Sequence, residues 1–105
     1  MARRSSKDGI FARLNQKEVL VTTKFTWYGH AAEGLETDGH KIVVDPFFNG
    51  NPAAAISADA VEAEFILLSH GHSDHLGDTV AIAKRTGAMV ITVNEIALWL
   101  GNQDI

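Results

Sequence analysis

The sequence contains no cysteine. Disulfides, thiolate nucleophiles and cysteine-ligated zinc are excluded together. There are two prolines, Pro46 and Pro52, and both fall in one stretch. No apolar run approaches the ~18 residues of a membrane span. Basic excess is also missing. Nine Lys and Arg stand against 13 Asp and Glu, giving a net charge of -4, which argues against a nucleic-acid partner because such proteins present a basic face. Residues 1–20 carry Arg3, Arg4, Lys7, Arg13 and Lys17 but no apolar h-region, so a secretory signal is not expected and a cytoplasmic location is. What remains is ordinary globular composition over 105 residues, 46% hydrophobic and 21% charged, enough for one domain with a core.

Residues 1–20 read as a polar, basic extension. Ile10 and Leu14 sit at helical spacing, so a short helix over 10–20 and a disordered arm stay as alternatives. From Lys24 the pattern becomes regular. Phe25 and Trp27 alternate with Thr26 and Tyr28 as in a strand, and Gly29 breaks it. A second strand is expected over 33–37, a turn at Asp38-Gly39, and a third strand over 41–44 whose continuous apolar run signals burial on both faces. Residues 46–56 are loop chemistry. Asp59 and Glu62 have capping-box spacing, predicting a helical turn over 59–63. A buried strand over 65–69 leads into a helix over 78–86, stopped by Gly87, and then a strand over 89–93. Asn94 is expected to cap a last helix carrying Ile96, Trp99 and Leu100. The strand–helix–strand order from 65 to 93 predicts a right-handed βαβ unit with parallel strands, hence an α/β fold with a mixed sheet.

Three of the five histidines lie within six residues. The segment His70-Gly71-His72-Ser73-Asp74-His75 follows a buried parallel strand, the place where open α/β sheets bind ligands. One loop histidine is unremarkable. Three with an aspartate supply imidazole nitrogens and a hard oxygen within reach of one volume, which points to metal. Gly71 is expected to let the backbone bend sharply between the first two. Asp78 reads as a helix-start residue and His40 as an exposed residue beside a turn.

HGHSDH matches the HxHxDH signature of the metallo-β-lactamase superfamily. With Trp27-Tyr28-Gly29-His30-Ala31, Val44-Asp45-Pro46-Phe47 and LLSHGHSDHLGDTVAIAKRTGA around it, the chain resembles the UPF0173 metal-dependent hydrolases over residues 21–105. The resemblance implies the N-terminal half of an αββα sandwich, with helices on one face of the sheet. It implies two divalent metal ions, zinc first, with manganese or iron as alternatives. His70 and His72 would bind one ion, and Asp74 and His75 the other, Asp74 also serving in proton transfer as the catalytic residue. Asp45 and His30 would stand behind the ligands. The chemistry implied is attack of a metal-bound hydroxide on an ester, lactone, amide or phosphodiester of a small-molecule substrate. The alternative is a truncated, non-catalytic fragment that binds metal weakly or not at all. A nuclease of the same superfamily is disfavoured by the acidic balance and by the Leu76-Gly77-Asp78 that follows the histidines.

Two features depart from the family pattern. Glu33 and Gly34 occupy a strand that is apolar in the family, so an irregular or exposed strand is expected there. The family's downstream half carries further histidines and a bridging aspartate, whereas no histidine follows His75. The chain is therefore expected to pair with a missing C-terminal half or to self-associate, through strands that are apolar on both faces.

Overall fold

The computed structural model describes residues 22–105; the expected extension over 1–20, with its alternative helix, lies outside them. Five strands form one sheet in sequence order: β1 Thr23–Gly29, β2 Ala32–Thr37, β3 His40–Val44, β4 Phe65–Leu67 and β5 Met89–Ile91. The first three pair antiparallel and the last three parallel, so the expected mixed sheet and βαβ unit are present. Asp38 (φ +51) and Gly39 (φ +80) make the two-residue turn between β2 and β3, the positive-φ geometry that matches strand twist.

Register divides the sheet into two faces, because directly paired residues share one. Thr26, Gly34, Val43, Ile66 and Val90 form one cross-strand row. This row is covered: Val43 and Ile66 join Phe48, Ala58, Val61, Ile82 and Ala83 in the core. Ile82 and Ala83 come from α2 (Thr79–Thr86). The two flanking rows, Phe25-Leu35-Ile42-Phe65-Met89 and Trp27-Glu33-Val44-Leu67-Ile91, lie on the other face. There Phe25, Trp27, Met89 and Ile91 are 50–62% exposed. The expected irregularity of the second strand does not occur. β2 keeps continuous pairing with β3, Glu33 takes its place in the open row, and Gly34 lies so close under the Tyr28 ring that a Cβ would meet it at 2.8 Å. Tyr28 in turn packs edge-on against Phe48.

Helix ends differ from the sequence reading. The turn expected over 59–63 is a 3-10 turn, Ala58–Ala60, preceded by Ser57 and made without a side-chain cap. α3 spans Asn94–Gly101, so Asn94 is inside the helix, and Val93, which has no capping side chain, precedes it. Asp78 precedes α2 but its carboxylate does not cap it. It accepts instead from the Phe48 and Asn49 amides, both at 2.9 Å, and from Asn49 Nδ2 at 2.7 Å. The loop after β3 thus claims the Asp78 carboxylate with three donors.

His40, expected to be merely exposed, has a partner. Its Nδ1 lies 2.6 Å from Glu64 Oε1. The hydrogen bond that His40 donates to Glu64, reinforced by the carboxylate charge, raises the His40 pKa above the ordinary value. A raised folded-state pKa means that this pair stabilises the fold fully below the unfolded value of about 6.5 and loses the effect as pH climbs through the raised one. Glu64→Gln is expected to bring the His40 midpoint down towards the ordinary value in an NMR titration; an unchanged midpoint would refute the pairing.

Candidate metal centre

The histidine cluster sits where β4 and β3 end. A one-turn helix, α1 (Ser73–Leu76), carries Asp74 and His75, with His72 at its start. Four residues are too few for a periodic signal, so the sequence read this turn as loop. Gly71 is not at positive φ, contrary to the expected sharp bend. Ile96 of α3 packs over it, and a Cβ would stand 2.7 Å from Ile96 Cδ1, the movable tip of that side chain.

Asp45 organises the site from beneath. It leaves β3 in the left-handed region, φ +46, a conformation that costs a non-glycine residue energy and recurs at functional sites. The side chain is only 5% exposed. Its carboxylate accepts from Ser69 N (2.8 Å), Ser69 Oγ (2.6 Å) and His75 Nδ1 (2.9 Å). Burial pushes the Asp45 pKa up, but these bonds and the His75 charge outweigh it and hold the carboxyl below its ordinary value. An ionised carboxylate only accepts. His75 therefore carries its proton on Nδ1 and turns Nε2 outward. The Ser69 hydroxyl proton points at Asp45, so the same oxygen accepts from His70 Nδ1 at 2.8 Å. One buried carboxylate thus sets the tautomer of two imidazoles, directly for His75 and through Ser69 for His70.

The outward nitrogens converge. His70 Nε2 and His72 Nδ1 are 3.1 Å apart. Two nitrogens sharing a tetrahedral zinc at ~2.0–2.1 Å stand roughly 3.3 Å apart, so this spacing fits one ion. The His70 and His75 ring centroids are 4.1 Å apart. On the far side, His30, Asp74 and His75 each offer an atom within 4.8 Å of the other two. His30 Nε2 meets Asp74 Oδ2 at 3.0 Å, and His75 Nε2 lies 3.8 Å from Asp74 Oδ1. Partial burial pushes the Asp74 pKa up, while its own amide, the His30 bond and the two imidazole charges bring it below the ordinary value. All six residues singled out in the sequence, His30, Asp45, His70, His72, Asp74 and His75, thus belong to one connected cluster. Four imidazoles and a carboxylate at these spacings are a donor set suited to a divalent borderline ion.

Residues the sequence reading passed over complete the frame. Ser69 links Asp45 to His70. Asn51, buried, donates from Nδ2 to Gly29 O and Phe47 O, tying the β1–β2 turn to the loop after β3. Gly77, at φ +45, presses on Phe47 Cα and Pro46 O, each 2.6 Å from where a Cβ would lie. Gly77→Ala is expected to destabilise the fold by about 2–4 kcal/mol, since backbone on both sides must give way at a positive φ. Urea unfolding measures this, and a midpoint unchanged from the parent would contradict the contact.

A mixed sheet with α2 packed on one face and a histidine–carboxylate cluster at its strand ends defines a class. The sequence profile of the β-lactamase superfamily domain matches residues 24–95, and the chain belongs to that superfamily. Within it, the chain is 52% identical over 82 residues to a UPF0173 metal-dependent hydrolase of Shouchella clausii and 49% identical to one of Methanopyrus kandleri, covering 78% of this chain in each case. Among solved structures it resembles Igni18, a novel metallo hydrolase from the hyperthermophilic archaeon Ignicoccus hospitalis, with TM-score 0.70 and 32% identity over 77% of this chain. The chain spans 36% of the length of each of these three relatives.

Proposed function

We propose that this chain supplies part of the metal centre of a metal-dependent hydrolase acting on a small molecule with an ester, lactone, amide or phosphodiester bond. The observation that carries this reading is the convergence of His70 Nε2 and His72 Nδ1 at 3.1 Å beside the His30–Asp74–His75 group. His70 and His72 would hold one ion, and Asp74 and His75 the second, with zinc the first choice for imidazole-rich donors and manganese or iron the alternatives. When bound, such ions lower the pKa of a water and polarise the bond to be cleaved.

The chain's own residues prepare that site. Asp45 and Ser69 hold Nδ1 of His75 and His70 by hydrogen bonds, which turns Nε2 of each ring toward the site. Asp74 is half exposed and braced by His30, which suits it to accept a proton and pass it on; it is the residue we assign to catalysis. The acidic balance favours a small-molecule substrate over nucleic acid. A chain without cysteine needs no oxidising compartment, and we place it in the cytoplasm. Among the described residues no helix is long and apolar enough to cross a membrane.

Calorimetric titration of the 105-residue chain with Zn²⁺ tests the reading. Binding is expected but weak, because four ligands leave two ions under-coordinated, and His70→Ala with His72→Ala should abolish it. Hydrolysis of a generic phosphodiester or lactone by this chain alone should be slight. Absence of any Zn²⁺ heat from the parent chain would overturn the assignment, and fast turnover would overturn the statement that the site is incomplete.

A further inference from the structure

Trp27 is 61% exposed on the open sheet face, yet its indole N–H does not point to solvent. Nε1 donates to the backbone oxygen of His30 at 2.9 Å. The segment between them is irregular: pairing with β2 shifts between Trp27 and Gly29, and His30 sits at φ +55. A short turn of this kind has several accessible backbone shapes, and its sequence alone does not select one. The imidazole that this turn carries reaches Asp74 at 3.0 Å and lies edge-on to Phe47, ring centroids 6.0 Å apart.

We propose that Trp27 is a positioning residue, its indole N–H fixing the backbone of His30 and so aiming that imidazole at Asp74. Calling His30 and Asp74 parts of a site rests on the metal-centre reading above; the positioning itself does not. Trp27 shares a cross-strand row with Glu33, Val44, Leu67 and Ile91. Its ring therefore belongs to the open face while its N–H belongs to the site. Whatever touches the ring also touches the hydrogen bond that shapes the His30 turn. The competing view is that Trp27 serves the face by its apolar area alone and that the bond is incidental. Phe25 separates the two, because it is 59% exposed on the same face and has no N–H to give.

The test is NMR on the metal-free 105-residue chain. In the unaltered protein the Trp27 indole proton should exchange with solvent more slowly than that of Trp99, although the Trp99 side is the less exposed at 41%. In Trp27→Phe the His30 ring resonances should shift and the cross-peaks between His30 and Phe47 rings should weaken or vanish; in Phe25→Leu both should stay. Zn²⁺ affinity, read by competition with a chromophoric chelator, should fall roughly threefold to tenfold in Trp27→Phe, below the tenfold to hundredfold typical of a group bonded directly to a ligand. If Trp27→Phe does not fold, replacing Trp27 with its benzothienyl isostere keeps the ring and removes only the N–H. Intact His30–Phe47 cross-peaks in the folded variant, or an equal loss in Phe25→Leu, overturns the proposal. Those readings contain no metal, so they judge Trp27 alone, whereas failure of the unaltered chain to bind Zn²⁺ judges the metal centre alone.

Discussion

Asp45→Ala is expected to lower Zn²⁺ affinity by about one to two orders of magnitude, the range seen when a carboxylate that orients a metal-binding histidine is removed. The same change should destabilise the fold by about 3–5 kcal/mol, as for a buried charged group that loses its partners. Both follow from one geometry: the Ser69 amide, the Ser69 hydroxyl and His75 Nδ1 all donate to this carboxylate. Without it they are left buried or unaligned, and the tautomers of His70 and His75 become free. Asp45→Asn separates the effects. The amide keeps one acceptor but presents an N–H where another acceptor stood, so volume is kept and tautomer control is lost. Because the folded Asp45 carboxyl titrates below its ordinary value, its contribution to stability is present above the unfolded pKa of ~3.9 and disappears as pH falls through the folded value. Urea unfolding across the acid range should therefore show a shallower loss of stability in Asp45→Asn than in the parent. Equal Zn²⁺ affinity in parent and Asp45→Ala would remove Asp45 from the site.

At micromolar concentration the chain should sediment as a dimer or larger species and should bind an apolar dye. Phe25, Trp27, Met89 and Ile91 are each at least half exposed, with Leu35, Ile42, Phe65, Val44 and Leu67 between them in the same two rows. Contiguous apolar surface of this kind on a soluble domain marks an interface. Burial of even 400 Å² at ~25 cal/mol per Å² is worth about 10 kcal/mol before the cost of association is subtracted. We propose that this face seats a second sheet, supplied by the rest of a longer chain or, in its absence, by another copy. Phe25→Thr, Met89→Thr and Ile91→Thr combined should shift the sedimentation profile to monomer and abolish dye binding. A parent chain that is already monomeric and dark to the dye would sink this proposal.

Much of this was legible in the sequence, for physical reasons. The period-2 alternation at Phe25 and Trp27, the Asp-Gly turn and the continuous apolar runs at 42–44 and 65–68 pointed to strands close to those observed. The histidine spacing carried the cluster. Helix starts were read less well, because Asp78, Asn94 and Asp59 are residue types that cap helices but have other partners or positions once the chain folds. Ser69 and Trp27 gave no warning, since their roles lie in hydrogen bonds to residues distant in sequence or set by a bulge. The regular course of β2 through Glu33 and Gly34 was hidden for a similar reason: it depends on Tyr28 filling the space above the glycine.

The bonds that build the cluster join segments far apart along the chain: 24 residues between Asp45 and Ser69, 30 between Asp45 and His75, and 44 between His30 and Asp74. Asp78 reaches back 30 residues to Phe48. Asp45 follows β3 and Ser69 follows β4, so the bonds between them need those two strands side by side, and each long-range bond requires a loop to close first. The cluster is consequently expected to form late in folding and to come apart when that parallel pair opens. Proton exchange at the Ser69 amide should then report the free energy of separating two strands rather than the fraying of one loop, which ties the chemistry of the site to the cohesion of the sheet's centre.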